Sequence, residues 1–186
     1  MKRVLAILMV IPILAGCKYA GTSMASAMAF RNKISSNREC SFQTEITADY
    51  GDKSYSFSME CKVGQDNTVA FTVTAPDSIQ GITGAISDTD GRLTFDDNVL
   101  LFEPIAEGIL SPVSAPWFLL QGVQSGYIEA CSNTNNGYII HIQDNYIDKH
   151  VNYSVWMNQQ NIPVQAEIIW EGMRIMSMKI EGFAFL

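Results

Sequence analysis

Hydrophobic and polar residues alternate along most of the chain, and the alternation is most regular over residues 40–63. The hydrophobic side of its first half carries Cys40, Phe42, Ile46 and Ala48. Residues 55–63 repeat the pattern after a turn at 50–53. A period of two is typical of strands with one buried face, so this segment predicts an antiparallel hairpin.

Further segments alternate in the same way, and residues that favour turns, such as Pro76 and Gly137, separate them. Their bounds are 68–75, 82–87, 92–96, 99–103, 127–132, 138–143, 153–157, 164–170 and 174–185. Two other segments predict helices, one from Thr22 or Ser23 to about Ser35 and one over 117–123. The first has its apolar face at Met24, Ala27, Met28, Arg31 and Ile34, with Phe30 beside them.

About ten strands without intervening helices predict a mainly β (α+β) fold, built on one antiparallel sheet. A sheet of this width curls, and its concave face has to be covered. The N-terminal helix and the short internal helix are the two segments available to cover it.

The N-terminus follows a different pattern, in which Lys2 and Arg3 precede a short apolar run that ends in Leu14-Ala15-Gly16-Cys17. A basic start, an apolar run and small residues before a cleavage point are typical of a secretory signal. The run is shorter than the roughly 20 residues of a membrane-spanning helix. Its end resembles the bacterial lipobox, which implies cleavage after Gly16 and a diacylglycerol on the sulfur of Cys17.

Removal of residues 1–16 would leave 170 of the 186 residues, enough for one domain. The formal net charge is −7, and the signal takes two positive charges with it. This acidity excludes nucleic acid and anionic membrane surfaces as preferred partners. We therefore expect a lipidated cysteine with a short tether at 17–23, and a single domain at 24–186 that contacts the membrane through the lipid.

Three cysteines, Cys40, Cys61 and Cys131, remain in a chain that is exported to an oxidising compartment. If the hairpin turn consists of Tyr50-Gly51 alone, Cys40 and Cys61 stand opposite each other, and a disulfide is expected between them. A shift in register removes that placement and leaves two small buried thiols. Cys131 would in either case be a free thiol.

No pattern in the chain predicts catalysis or metal binding. The two histidines, His141 and His150, have no cysteine partners at zinc spacing, and a Gly-x-Ser-x-Gly motif is absent. Asp88-Thr89-Asp90-Gly91 begins like a calcium loop, but Arg92 and Thr94 occupy positions that need oxygen ligands. We therefore expect a protein that is not an enzyme and that uses no metal or other cofactor.

The order of elements resembles the bacterial lipoprotein carrier and receptor superfamily (LolA/LolB-like). The matching parts are the N-terminal helix, the hairpin at 42–63, the strand at 68–75 with Pro76 after it, and the last strands at 162–168, 174–180 and 183–185. The resemblance implies an unclosed β-barrel, lidded by helices, that binds acyl chains of lipoproteins or other amphiphiles. The membrane-bound receptor has an exposed apolar residue in a protruding loop after its third strand, and the resemblance places Ile79 there.

The apolar residues between 104 and 126 have two interpretations. They either plug the curled sheet as core, or line and lid a cavity that binds an acyl chain. The candidate ligand-binding residues are Ile109, Leu110, Trp117, Phe118 and Leu120.

Two functions therefore stay open. The first is a membrane-anchored lipoprotein that holds a lipid or lipoprotein acyl chain in a concave apolar cavity, with the internal helix moving to admit it. The second is a structural lipoprotein of the cell envelope, with a filled core and no ligand. Either protein would be extracytoplasmic and lipid-anchored to the cell membrane, or to the outer membrane of a diderm bacterium.

Overall fold

The computed structural model describes residues 17–88, 90–96, 98–103, 105–106, 109–146 and 149–186. Within these ranges, side chains are described for 22–88, 90–96, 98–103, 110–144 and 150–186. The predicted signal at 1–16 and the side chain of Cys17 lie outside the described part. Lipid attachment at Cys17 therefore stays a prediction from the sequence.

Two helices and thirteen strands make up the described chain. They are α1 (Cys17–Ser36), β1 (Cys40–Asp49), β2 (Ser54–Val63), β3 (Val69–Ala75), β4 (Thr83–Ile86), β5 (Gly91–Phe95), β6 (Asn98–Phe102), β7 (Ile105–Ala106), β8 (Ile109–Leu110), α2 (Ala115–Ser125), β9 (Tyr127–Thr134), β10 (Gly137–Tyr146), β11 (Lys149–Asn158), β12 (Pro163–Trp170) and β13 (Met173–Phe185). A short 3-10 turn, Pro112–Ser114, leads into α2.

Eleven of the strands form one antiparallel sheet in the order β6-β5-β4-β3-β2-β1-β13-β12-β11-β10-β9. Strands β7 and β8 form a separate short hairpin. In the described part of the chain the edge strands β6 and β9 do not pair with each other, so the barrel is unclosed. Helix α2 packs against β10 and β12, and α1 packs against α2, β9 and β10. The predicted mainly β fold, an unclosed barrel lidded by two helices, is confirmed.

Helix α1 begins earlier than the sequence predicted, at Cys17 instead of Thr22 or Ser23. The segment before Thr22 contains no proline, and its one glycine costs a helix only about 1 kcal/mol, so nothing there ends the helix. The buried side of α1 consists of Ser23, Ala27, Phe30 and Ile34. Met28, which the sequence pattern assigned to that side, is 42% exposed.

The register of the β1–β2 hairpin overturns the predicted disulfide. Cys40 lies opposite Val63, while Cys61 lies opposite Phe42. Both cysteines are buried free thiols. The turn has four residues, closed by the N–H of Tyr50 donating to the carbonyl of Lys53 at 2.9 Å, and not two. Two extra turn residues shift the register by two, so the cysteines keep the same face but become diagonal neighbours, too far apart for a disulfide.

The residue assigned to a protruding loop, Ile79, does not protrude. It is half-buried and packs against the hydrophobic core. Its N–H donates to the carbonyl of Pro76 at 3.0 Å, and the N–H of Gly81 donates to the carbonyl of Val73 at 2.9 Å. These bonds close the β3–β4 connection as a turn, and the side chain of Ile79 is not the exposed one that the resemblance placed there.

Neither helix of the described chain is both long enough and apolar enough to cross a membrane.

The three cysteines should differ in reactivity, because thiol reagents attack the thiolate. Burial raises the pKa of Cys40 to about 12. Burial and the neighbouring Cys40 raise the pKa of Cys61 as well. A thiol with a pKa near 12 is ionised in roughly one molecule in ten thousand at pH 8. In the native protein iodoacetamide should therefore modify the partly exposed Cys131 first. Peptide mapping checks this, and a Cys40–Cys61 disulfide in the oxidised protein would contradict the register.

A buried hydroxyl on β1 gives a second prediction. Thr44 is 3% exposed, and its hydroxyl has no hydrogen-bond partner among the described residues. Thr44→Val should raise the free energy of unfolding by about 1 kcal/mol, because a methyl group replaces an unsatisfied hydroxyl. The matched control is Thr47→Val on the exposed face of the same strand, which should change stability by less than about 0.5 kcal/mol. Urea unfolding measures both, and equal effects would show that the gain comes from strand propensity alone.

Candidate functional site

Helix α2 occupies the concavity of the sheet. Eight of its eleven residues are buried, so it is apolar on nearly every side. Trp117 and Phe118 are 2% and 0% exposed, and their rings meet edge to face with centroids 5.0 Å apart. Leu110 and Leu120 are buried too, whereas the side chain of Ile109 lies outside the described part. The described residues of the predicted cluster therefore pack as core. Such burial is expected both of core residues and of the residues of a closed lid.

A glycine allows α2 to lie close to the sheet. A β-carbon added to Gly122 would stand 2.4 Å from the ring of Tyr153 on β11. That distance is shorter than real contacts allow, so a larger residue here would push the helix away from the strand. The position of α2 thus depends on a residue without a side chain.

Polar contacts hold the two ends of the α2 segment. Before the helix, the hydroxyl of Tyr50 donates to the carbonyl of Leu110. At the other end, Arg31 of α1 donates from Nε to the carbonyl of Val123 and from Nη2 to the carbonyl of Gly126, each at 2.7 Å. The last carbonyls of a helix lack partners within it, and a cation also suits the negative end of its dipole. Arg31 therefore joins the two helices that cover the sheet.

Arg31 is the functional candidate that the sequence did not reveal. The helical pattern placed it on the apolar side of α1 without a partner. Partial burial lowers its pKa from the usual value, but an arginine remains charged in proteins. The sequence signal for this role was a cation on the buried side of an amphipathic helix, because a buried cation needs hydrogen-bond acceptors inside the fold.

A bulge near the end of β13 turns two phenylalanines toward α1. Ser41 pairs with Ala184 and Gln43 pairs with Glu181, so two residues of β13 lie opposite Phe42 alone. Gly182 has a φ of +61° there, a conformation that favours glycine. The extra residue shifts the alternation of β13, and Phe183 consequently stacks with Phe42 and approaches Phe30, with ring centroids 5.9 and 6.0 Å apart.

A small apolar cavity lies where α1, α2 and the sheet meet. Its volume is about 20 Å³. Its helix-side lining consists of Phe30, Ile34, Leu119, Leu120 and Val123, and residues of β1, β11, β12 and β13 complete it. Every lining residue is apolar, and the space suffices for about one water molecule. Of the predicted ligand-binding residues, Leu120 lines this cavity, while Leu110, Trp117 and Phe118 do not.

Among known proteins, solved structures are similar to this chain. No family model matches the chain, and no curated protein matches it in sequence. Solved structures do match it, beginning with an uncharacterized conserved protein from Thermus thermophilus, at a TM-score of 0.49 and 9% identity over 87% of this chain and 88% of that one.

Two further matches bear on the resemblance. A LolA superfamily protein from Nitrosomonas europaea has a TM-score of 0.43 and 9% identity, covering 86% of this chain and 93% of its own. A putative outer membrane lipoprotein-sorting protein domain from Vibrio parahaemolyticus has a TM-score of 0.44 and 8% identity, covering 89% and 92%. The solved structures that this chain is similar to thus include a protein of the superfamily that the element order resembles. At these scores the neighbours carry no argument about function.

Removing the Arg31 contact should loosen α2. Arg31→Met keeps much of the apolar stem but leaves the carbonyls of Val123 and Gly126 without their donor. We expect the free energy of unfolding to fall by about 1–2 kcal/mol, in the range for hydrogen bonds to charged groups. The matched control is Arg174→Met, which breaks a 3.0 Å ion pair with Glu167 at an exposed site and should cost less than about 1 kcal/mol. Urea unfolding measures the free energy of unfolding of both variants. Equal losses would show that the bonds of Arg31 contribute no more than an exposed ion pair.

Proposed function

We propose that the protein is a membrane-anchored lipoprotein of the cell envelope that binds the acyl chain of a lipid or lipoprotein between α2 and the concave face of the sheet. The lipid on Cys17 would hold the domain at the membrane, and the unclosed barrel would receive the chain. The observation that carries the proposal is the wholly apolar cavity at the junction of α1, α2 and the sheet.

The attachment of α2 supports this function. Among the described residues, polar bonds hold the segment near its ends, through Tyr50, Arg31 and the side chains of Gln124 and Asn67, while the middle of the helix is buried against apolar side chains. Apolar contacts have no preferred direction, so an acyl chain can replace them with little loss of free energy. A shift of α2 would therefore enlarge the cavity, and its polar cost would lie at the ends of the segment, where the bonds of Arg31 break.

A second candidate has an observation of its own in its favour. At about 20 Å³ the cavity is far smaller than the 300–1,000 Å³ of typical ligand pockets, and Trp117 and Phe118 are fully packed. A structural lipoprotein with a filled core would look like this. The two candidates differ in whether α2 moves.

The choice between the two candidates can be tested with the mature chain, residues 17–186, carrying Cys17→Ser. This form lacks the lipid and is otherwise unchanged over the described residues. The measurement is uptake of a fluorescent fatty acid. We expect the wild-type domain to bind the probe slowly and Arg31→Met to bind it several-fold faster, because the variant opens α2 more often. Arg174→Met is the control and should bind at the wild-type rate.

A different set of results would support the structural candidate. If no form binds the probe, and Arg31→Met is merely less stable, the structural candidate is correct. Lipid extraction and mass spectrometry of the purified domain provide an independent check, since a binding protein is expected to retain cellular lipid.

A further inference from the structure

A second, larger concavity lies on the surface beside the apolar cavity. This α1 groove has a volume of about 470 Å³, a size typical of ligand sites. Its floor consists of Phe30, Ile162, Phe183 and Phe185, and Ser26 and Ala29 of α1 form one wall. The groove thus presents aromatic and aliphatic carbon between two polar rims.

The turn between β11 and β12 forms the opposite wall of the α1 groove, through Gln160 and Asn161. The side chain of Asn158 holds this turn, because its Oδ1 accepts from the N–H of Gln160 at 2.9 Å and of Ile162 at 3.0 Å. The wall is therefore preformed, and a ligand would not have to order it.

The α1 groove and the apolar cavity share two residues, Phe30 and Phe183, which line both. Their rings are tilted by 55°. With centroids 6.0 Å apart the two rings are in contact, so a chain that moves from the groove into the cavity has to separate them. The α1 groove thus adjoins the cavity of the proposed function.

The charge of the α1 groove is opposite to that of the molecule. The protein has a net charge of −7, yet Lys33 is the one charged residue among the described residues that line the groove. Its ammonium group lies 4.3 Å from the centre of the Phe185 ring. An exposed cation–π contact contributes about 0.5–1 kcal/mol, so the ammonium can exchange the ring for an anion.

We propose that the α1 groove admits an anionic single-chain amphiphile, with its carboxylate or phosphate head bound by Lys33 and its acyl tail directed between Phe30 and Phe183 into the interior. This inference rests on the proposed binding of an acyl chain, and it adds the head group, the path and the residue that selects the ligand. Neutral and cationic amphiphiles of the same length gain nothing from Lys33 and bind more weakly.

Three probes of equal chain length test the proposal: laurate, dodecyl phosphate and dodecanol. Calorimetric or fluorescence-displacement titrations use the mature chain with Cys17→Ser. Lys33→Glu should weaken the binding of both anions by about tenfold and leave dodecanol unchanged, because a neutral head group has no charge for residue 33 to attract or repel. The matched control, Lys53→Glu, makes the same charge change in the exposed β1–β2 turn and should affect none of the probes. Added salt should reduce the difference between laurate and dodecanol.

The outcomes separate this inference from the proposed function. If the wild type binds none of the three probes, both fail. If it binds all three and Lys33→Glu weakens them equally or not at all, acyl binding stands and the role of Lys33 is overturned. A loss for both anions and not for dodecanol supports the proposal, and the anion that the wild type binds more tightly identifies the source of the head, a fatty acid or a phosphate monoester.

Discussion

The central constraint on this fold is that the two edges of its large sheet do not meet. A closed barrel covers its inner face with its own side chains, whereas an open one needs other elements to keep water from that face. Here the edges are β6 and β9, and α2 with α1 supplies the missing cover. The placement of the helices follows from the open sheet, and so does the cavity between them.

Helix α2 is held by two kinds of contact. The middle of α2 contacts the sheet through side chains such as Trp117 and Leu120, which could pack in more than one position. The ends are fixed by directed bonds, from Tyr50 to Leu110 and from Arg31 to Val123 and Gly126. Gly122 permits the close approach to Tyr153. The resting position of α2 therefore depends on few groups, although most of its stability comes from apolar burial.

Alternation along the chain was sufficient to predict the eleven strands of the large, open, helix-covered sheet, because most of these strands have one buried face. It did not predict the short β7–β8 hairpin. The length of the turn at 50–53 was not predictable, since Tyr50-Gly51 and the full four residues both make acceptable turns, and the disulfide prediction failed for that reason. The phase shift at Gly182 is visible in the sequence, where the apolar positions change from Met176, Met178 and Ile180 to Phe183 and Phe185, but residues 174–185 were predicted as one regular strand. The α1 groove combines Lys33, Gln160 and Phe183, and only the folded chain brings such distant residues together.

The energetics of exchange explain why few polar groups can decide what this site binds. Lifting α2 from the sheet into water would expose buried side chains at a cost of about 25 cal/mol for each Å² of apolar surface, which opening alone would not recover. An acyl chain that replaces the helix restores apolar contact area, so the apolar part of the exchange is close to neutral. The balance then depends on the directed terms, which are the two bonds of Arg31 that break and the head-group contact at Lys33 that forms. A neutral amphiphile supplies only the apolar contacts, whereas an anionic one also supplies the head-group contact at Lys33.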